Sequence, residues 1–267
     1  MRLSISKAWE ETAAFVSSET RLLVPIALAL LFLPGVVAGL VGPVRSNETP
    51  TTSFLLLLFA ELLIGVIGQI AIARLTLGHR EPVGEAIRDA ALRLPALVGS
   101  VFLIALPLSF AILFVGGVAV AMAKSGGGQP FMAILVTLGL TVLIVAALIL
   151  GLRCLLNTAI AAVEPGGPVR LLKRGFALTR GHVLKLLGAA LLLAIGGGVA
   201  IVALTSIMGL GVRLALGDPE PWTVAALLVA VVGAAAQAVF SVLFTVFFAR
   251  VYAQLAASEA SVPRSAT

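Results

Sequence analysis

The chain has 267 residues, of which 60% are hydrophobic and 11% charged, and its mean hydropathy is +1.16. These values exclude an ordinary soluble domain, in which about a quarter of the residues are charged. The net charge of +6 would fit a nucleic-acid-binding protein, but the basic residues stand in short segments between long apolar blocks, which indicates membrane topology instead.

The apolar residues form six blocks, each long enough to cross a hydrocarbon core of about 30 Å as a helix. Apolar and polar residues do not alternate within these blocks, which excludes the pattern of a membrane β-barrel. The composition therefore predicts an all-α polytopic membrane protein. The predicted spans are Leu22–Val41, Ser53–Leu77, Ala96–Ala123, Phe131–Leu152, Val183–Leu210 and Trp222–Tyr252.

The distribution of basic residues predicts the orientation of the spans. If the N-terminus is cytoplasmic, 15 of the 18 Lys and Arg residues lie on the inner side, and only Arg45, Lys124 and Arg213 lie in outer loops. Because basic residues accumulate in cytoplasmic loops, both termini are predicted to be cytoplasmic.

Amphipathic segments precede the first, third and fifth spans and are predicted to end at Ser17, Pro95 and Gly181. Each has an apolar arc beside a charged arc, which favours a helix lying in the headgroup plane.

The recurrence of this pattern predicts three parallel units, at about 4–77, 83–152 and 168–253, related by a pseudo-threefold axis along the membrane normal. The alternative is that any multispan protein with inner linkers shows a similar pattern. Residues 1–253 are predicted to form a single membrane domain, and 254–267 a disordered cytoplasmic tail.

Glu61 is the one acidic residue deep in a predicted span. A carboxyl in lipid is costly, so it should face protein or water. It is either a contact for an ion or substrate, or a protonated group that joins helices through a hydrogen bond to a partner such as Gln237 or a backbone carbonyl. Gln237 belongs to a stripe of small and polar residues on the sixth helix, which favours helix packing over a conduction path.

Two further groups of residues lie at the inner ends of the spans. Arg153 and Asn157 share a face with Glu164, and Arg153 is predicted to snorkel or to pair with Glu164 or a neighbouring helix. Basic residues follow on the third amphipathic segment and are predicted to contact anionic lipid headgroups or a membrane or cytoplasmic protein partner. They are Arg170, Lys173, Arg174 and Arg180.

The sequence holds no set of residues that indicates catalysis. Cys154 is the single cysteine, and the histidines are His79 and His182. The run Gly196-Gly197-Gly198 lies inside a span rather than between a strand and a helix, so it does not indicate a phosphate-binding loop. The chain is therefore predicted to be no enzyme, with no cofactor and no metal site.

The segment from Arg153 to Gly181 resembles a family of bacterial six-span proteins, which includes the membrane domain found beside glycerophosphoryl diester phosphodiesterase barrels. The shared features are an Arg near the end of the fourth span, a Glu closing it, and a basic helix ending in Leu-Thr-Arg-Gly; here these are Arg153, Glu164 and residues 178–181. The resemblance implies a bacterial inner-membrane protein. It does not imply phosphodiester chemistry, which belongs to a separate soluble barrel.

Two functions are compatible with these features. The leading hypothesis, which we call the first, is a non-enzymatic scaffold or accessory protein whose basic cytoplasmic face binds anionic lipid or a partner. The second is a transporter or lipid-handling protein with an intramembrane site near Glu61. A polar cavity at the midplane would favour the second, and a solid bundle would favour the first.

Overall fold

The structure is a computed structural model and describes residues 4–41, 51–78, 82–124, 130–220 and 222–260. Every regular element in these ranges is helical, so the predicted all-α class is confirmed. The elements are α1 Ile5–Ser18, α2 Thr20–Ala27, a π-helix Leu28–Phe32, α3 Leu33–Val41, α4 Thr52–Thr76, α5 Val83–Lys124, α6 Pro130–Cys154, α7 Asn157–Val163, α8 Pro168–Thr179, α9 Val183–Leu216 and α10 Val224–Ala260.

Six helical stretches among the described residues are long and apolar enough to cross a membrane, as predicted. The first span combines α2, the π-helix and α3, and the fourth combines α6 and α7. The second, third, fifth and sixth spans are formed by α4, α5, α9 and α10. The described chain begins and ends on the same side of the bundle, where the Ser4 backbone N–H donates to Gln254 Oε1 at 3.3 Å. We call this side the proximal side and the opposite side the distal side.

The three amphipathic segments do not end alike. The first is the separate helix α1, which ends at Ser18, and the third is α8, followed by Gly181 with a φ of +84°. The second segment, predicted to end at Pro95, is instead continuous with the third span, and α5 runs through that proline for 42 residues. Helices tolerate an internal proline when their packing compensates for the lost hydrogen bond, so the expected break is absent here.

The sixth span is also longer than predicted, because α10 continues to Ala260. Residues 254–260 are therefore helical rather than part of a disordered tail, while 261–267 lie outside the described residues. The loops predicted near Arg45 and between Lys124 and Pro130 lie largely outside them as well. The threefold relation between the units stays a prediction.

Packing is densest on the proximal side. The buried apolar cluster draws on the proximal ends of α4 and α10, on the first turns of α5 and on α7, which lies between them. By contrast, no residue in the most apolar window of the third or fourth span is buried. Those spans present large apolar side chains outward, as expected of helices that face lipid.

Close approach between the first and sixth spans depends on small residues. A Cβ added at Gly39 would lie 2.8 Å from the Cβ of Ala230, and one added at Gly35 would lie 3.2 Å from the Cβ of Ala234. These are the small-residue contacts that drive association of helices in lipid, where the hydrophobic effect contributes little. The first, second and sixth spans thus form a three-helix seam.

Candidate functional site

A partly polar cavity of about 270 Å³ lies in this seam, near the middle of the second span, and opens at the bundle surface, where Gln237 is exposed. Its wall is mostly apolar, but four polar side chains line it: Glu61, Gln69, Gln237 and Ser241. Glu61 is nine residues from the start of α4 at Thr52, so a rise of 1.5 Å per residue places it roughly 13 Å inside the span. The cavity is therefore at membrane depth.

The polar groups in the cavity are only partly paired. Gln69 Nε2 donates to Ser241 Oγ at 3.3 Å and so links α4 to α10. The predicted hydrogen bond between Glu61 and Gln237 is not formed, although both side chains line the same cavity. A Cβ on Gly35 would lie 3.5 Å from Glu61 Oε1, which shows how closely the first span approaches the carboxyl. A ligand in the cavity could thus contact a carboxyl, two amides and a hydroxyl.

The first span loses its regular α-helical geometry beside this cavity. Residues 28–32 form a π-helix, in which the N–H of Leu33 bonds to the carbonyl of Leu28, and the side chains of Leu30 and Leu31 form part of the cavity wall. The π-turn follows Pro25, which cannot donate a backbone hydrogen bond. Such turns are rare and occur frequently at functional sites. The sequence alone does not predict it, and the local signals for it are the two prolines that flank it, Pro25 before it and Pro34 after it.

A layer of buried apolar side chains, which we call the dry core, separates the cavity from the proximal side. Beyond Gln69 and Ser241, α4 and α10 bury a set of apolar side chains that are at most 2% exposed: Ile70, Ile72, Val246, Phe247 and Phe248. The cavity is therefore not connected to the proximal surface through these residues.

A second group of polar contacts holds the proximal side together. Arg74 of α4 is only 3% exposed, pairs with Asp89 of α5 at 2.9 Å and donates to the carbonyl of Ala162 at 3.0 Å. Arg93 donates to the neighbouring carbonyl of Ala161 at 2.7 Å. The last carbonyls of a helix have no partner within the helix, so these two arginines cap the C-terminus of α7.

Helix α8 is attached to the bundle by a network around Arg174. Its guanidinium pairs with Glu164 at 2.9 Å and with Glu259 at 2.7 Å, and Tyr252 donates its hydroxyl to Glu164 at 2.9 Å. The hydrogen bond from Arg174 to Glu164 raises the pKa of Arg174 further above its ordinary value. Arg174 thus joins α8 to α10 and is not a free lipid contact.

The other predicted residues of this region have mixed outcomes. Arg153 does not pair with Glu164; instead its guanidinium lies 4.7 Å from the ring centroid of Phe176, a cation–π contact with α8. Asn157 is buried and donates from Nδ2 to Ser100 Oγ at 3.4 Å. Arg170, Lys173 and Arg180 are exposed.

Sequence reasoning missed the structural role of Arg74, Asp89, Arg93, Tyr252 and Glu259. In the sequence the inner arginines indicate only topology, and the charged arc of the second amphipathic segment gives no sign of a partner on another helix. The ionic partners lie on different helices or at the end of another helix, so no periodic pattern within one helix marks them. The single available signal was the position of Arg74 inside the inner end of an apolar block.

These observations define a polytopic α-helical membrane protein with a carboxyl in a polar cavity between three of its spans. No group of three potential metal ligands occurs among the residues that the structure describes. A family model described as domain of unknown function DUF7847 matches residues 3–255, and the chain belongs to this family. No curated protein and no solved structure is significantly similar to it. The match lends no support to a relationship with the phosphodiesterase-associated membrane domain.

Proposed function

We propose that this protein is a non-enzymatic transporter or lipid-handling protein that binds a small cationic group at the cavity around Glu61. The observation that carries the proposal is the polar cavity at membrane depth, which faces the one carboxyl deep in a span. Every polar side chain in its wall offers an oxygen that can accept a hydrogen bond or face a cation. Intramembrane carboxyls of this kind commonly mark ion and substrate pathways.

The adjoining π-helix supports the same proposal. A π-turn loosens the regular hydrogen bonding of the first span where that span borders the cavity. The dry core separates the cavity from the proximal side, as in a transporter whose path to that side is closed. In a transporter that core would have to open for release to the proximal side.

The proposal predicts that Glu61→Gln abolishes cation-coupled transport without unfolding the protein. Glutamine keeps the size and hydrogen bonding of the side chain but can neither carry charge nor release a proton. Purified protein in liposomes loaded with a pH-sensitive dye would be challenged with gradients of Na⁺, K⁺ and ethanolammonium. Flux in the parent should be at least about a hundredfold above that of the variant, as expected when a required ionisable group is removed.

Glu85→Gln is the matched control, because Glu85 is an exposed carboxylate in the first turn of α5. It should transport as the parent does. Equal flux in the parent and Glu61→Gln, or no flux in the parent with any of the three cations, would remove the transporter hypothesis. The Glu61 carboxyl would then only help to hold the packed helices together, as in the scaffold hypothesis.

A scaffold role remains the second candidate, and a specific observation favours it. Arg170 and Lys173 of α8 and Arg180, which directly follows it, are exposed, and we call them together the basic surface of α8. Arg174 is instead held in ion pairs. Each juxtamembrane basic residue gains on the order of 1 kcal/mol from anionic lipid. This surface would bind anionic headgroups or an acidic protein partner.

We predict that changing these three exposed residues together to Gln weakens retention of phosphatidylglycerol in native mass spectrometry by more than tenfold, with a smaller difference at high salt. Arg174 must be left intact, because its removal would leave Glu164 and Glu259 without their cationic partner. Arg213→Gln on the distal side is the control. Unchanged retention in the triple variant would exclude α8 as a lipid-binding surface.

We further propose that the proximal side faces the cytoplasm of a bacterial inner membrane. The support is the concentration of basic residues there. Reporter fusions after Ser258 and Asp218 should be active in the cytoplasm and outside it, respectively.

A further inference from the structure

A second cavity, of about 630 Å³, lies at the proximal end of the three-helix seam. It is bordered by the junction of α1 and α2, by the C-terminal end of α4 and by the last turns of α10. Three spans enter or leave the membrane at this level, so the cavity lies where lipid headgroups are found. Its volume is within the range typical of ligand sites, roughly 300–1,000 Å³.

Among the residues that the structure describes, one cation and one anion line this cavity. The guanidinium of Arg250 lies over the ring of Phe15, 4.9 Å from the ring centroid, and this contact holds it in place. Its Nε is buried and has no hydrogen-bond partner in the described ranges of the chain. No carboxylate in the described part of the chain forms an ion pair with Arg250, although Glu19 lines the same cavity.

Glu19 is equally free. It is the residue at which α1 ends and α2 begins, and its side chain makes no capping hydrogen bond with α2. Its backbone is fixed, because its N–H donates to the carbonyl of Phe15 at 2.9 Å. The carboxylate is therefore held at the cavity without a partner among the described residues.

The geometry points to a binding site for a glycerophospholipid with a primary-amine headgroup, of the phosphatidylethanolamine type, with its phosphate at Arg250 and its ammonium at Glu19. A guanidinium suits a phosphate diester because its N–H groups donate in parallel to the phosphate oxygens. A primary ammonium has three donors for a carboxylate, whereas a quaternary ammonium has none. An anionic headgroup without an amine would leave Glu19 facing a negative charge.

The walls of the cavity favour a lipid over a soluble phosphate compound. They include Phe15, Leu22, Leu75 and Ala253, and Leu22 is also 38% exposed on the surface of the first span. Acyl chains attached to a headgroup in this cavity would continue along that apolar surface into the bilayer. This site is distinct from the cavity at Glu61 and from the basic surface of α8, and it does not rest on the transport proposal.

Native mass spectrometry of the delipidated, detergent-purified protein tests the assignment. The probes are phosphatidylethanolamine, phosphatidylcholine and phosphatidylglycerol with identical acyl chains, and the soluble headgroup glycerophosphoethanolamine. We expect the parent to retain phosphatidylethanolamine about tenfold better than phosphatidylcholine, as for the loss of one charge-assisted hydrogen-bonding group. Arg250→Gln should lower retention of phosphatidylethanolamine by about the same factor.

Glu19→Gln keeps the assignment testable if Arg250→Gln fails to fold, because the Glu19 side chain forms no capping hydrogen bond and no ion pair among the described residues. It should abolish the preference for phosphatidylethanolamine over phosphatidylcholine. Arg88→Gln and Glu85→Gln, exposed residues of α5 on the same side, should leave both lipids unchanged. A parent without the preference, or a Glu19→Gln variant that keeps it, would overturn the proposal. Equal binding of the soluble headgroup would assign the cavity to a solute instead of a lipid.

Discussion

Replacing Arg74 with methionine should lower the free energy of unfolding by about 3 kcal/mol, the low end of the cost of breaking a buried ion pair. The guanidinium is 3% exposed and serves Asp89 and the carbonyl of Ala162 at once. Its loss would leave a buried carbonyl without a donor and a carboxylate without its counter-ion. The cost is at the low end because Asp89 is 43% exposed and can recover some hydration. The shift of the unfolding midpoint in an SDS titration of the detergent-solubilised protein measures this loss of free energy.

Arg88→Met is the matched control, because Arg88 is adjacent to Asp89 in the chain but exposed. Its effect should stay within about 0.5 kcal/mol, as for most surface substitutions. Arg74→Lys should fall between the two, because a single ammonium keeps the charge but not the planar, multiply donating geometry. Equal midpoints for Arg74→Met and Arg88→Met would show that the Arg74 contacts do not stabilise the bundle.

Gly197→Ala should destabilise the protein, whereas the same change at either neighbouring glycine should not. A Cβ on Gly197 would overlap the ring of Phe240, while a Cβ on Gly196 or Gly198 meets no atom within 4 Å. Overpacking costs about 1–3 kcal/mol. The half-buried Phe240 ring can shift outward, so we expect a cost of about 1 kcal/mol.

Gly196→Ala and Gly198→Ala should be neutral or stabilising by up to about 1 kcal/mol, because alanine restricts the unfolded chain and favours helix. The same SDS titration distinguishes the destabilising substitution from the neutral or stabilising ones within this run of three glycines. Combining Gly197→Ala with Phe240→Leu should restore part of the loss, since the smaller side chain relieves the overlap. A Gly197→Ala variant as stable as Gly196→Ala would mean that the fifth and sixth spans are not in close contact there.

The sequence by itself determined the class of this protein, the number of its spans and most of their bounds. Lipid offers backbone groups no partners, so a long apolar block has to be a helix whatever its neighbours are. For the same reason Glu61 could be singled out from the sequence, since one carboxyl in an apolar block is costly wherever the helix packs.

Only the tertiary structure decided what the polar residues contact. Arg74 and Asp89 look like surface charges in the sequence, and Arg174 looks like one of a set of equivalent basic residues. Their partners come from other helices, and helix packing in three dimensions fixes which of them meet. The continuous α5 through Pro95 and the π-helix after Pro25 depend on the same packing, because a proline removes one hydrogen bond and the surrounding helices determine whether the chain breaks, widens or continues.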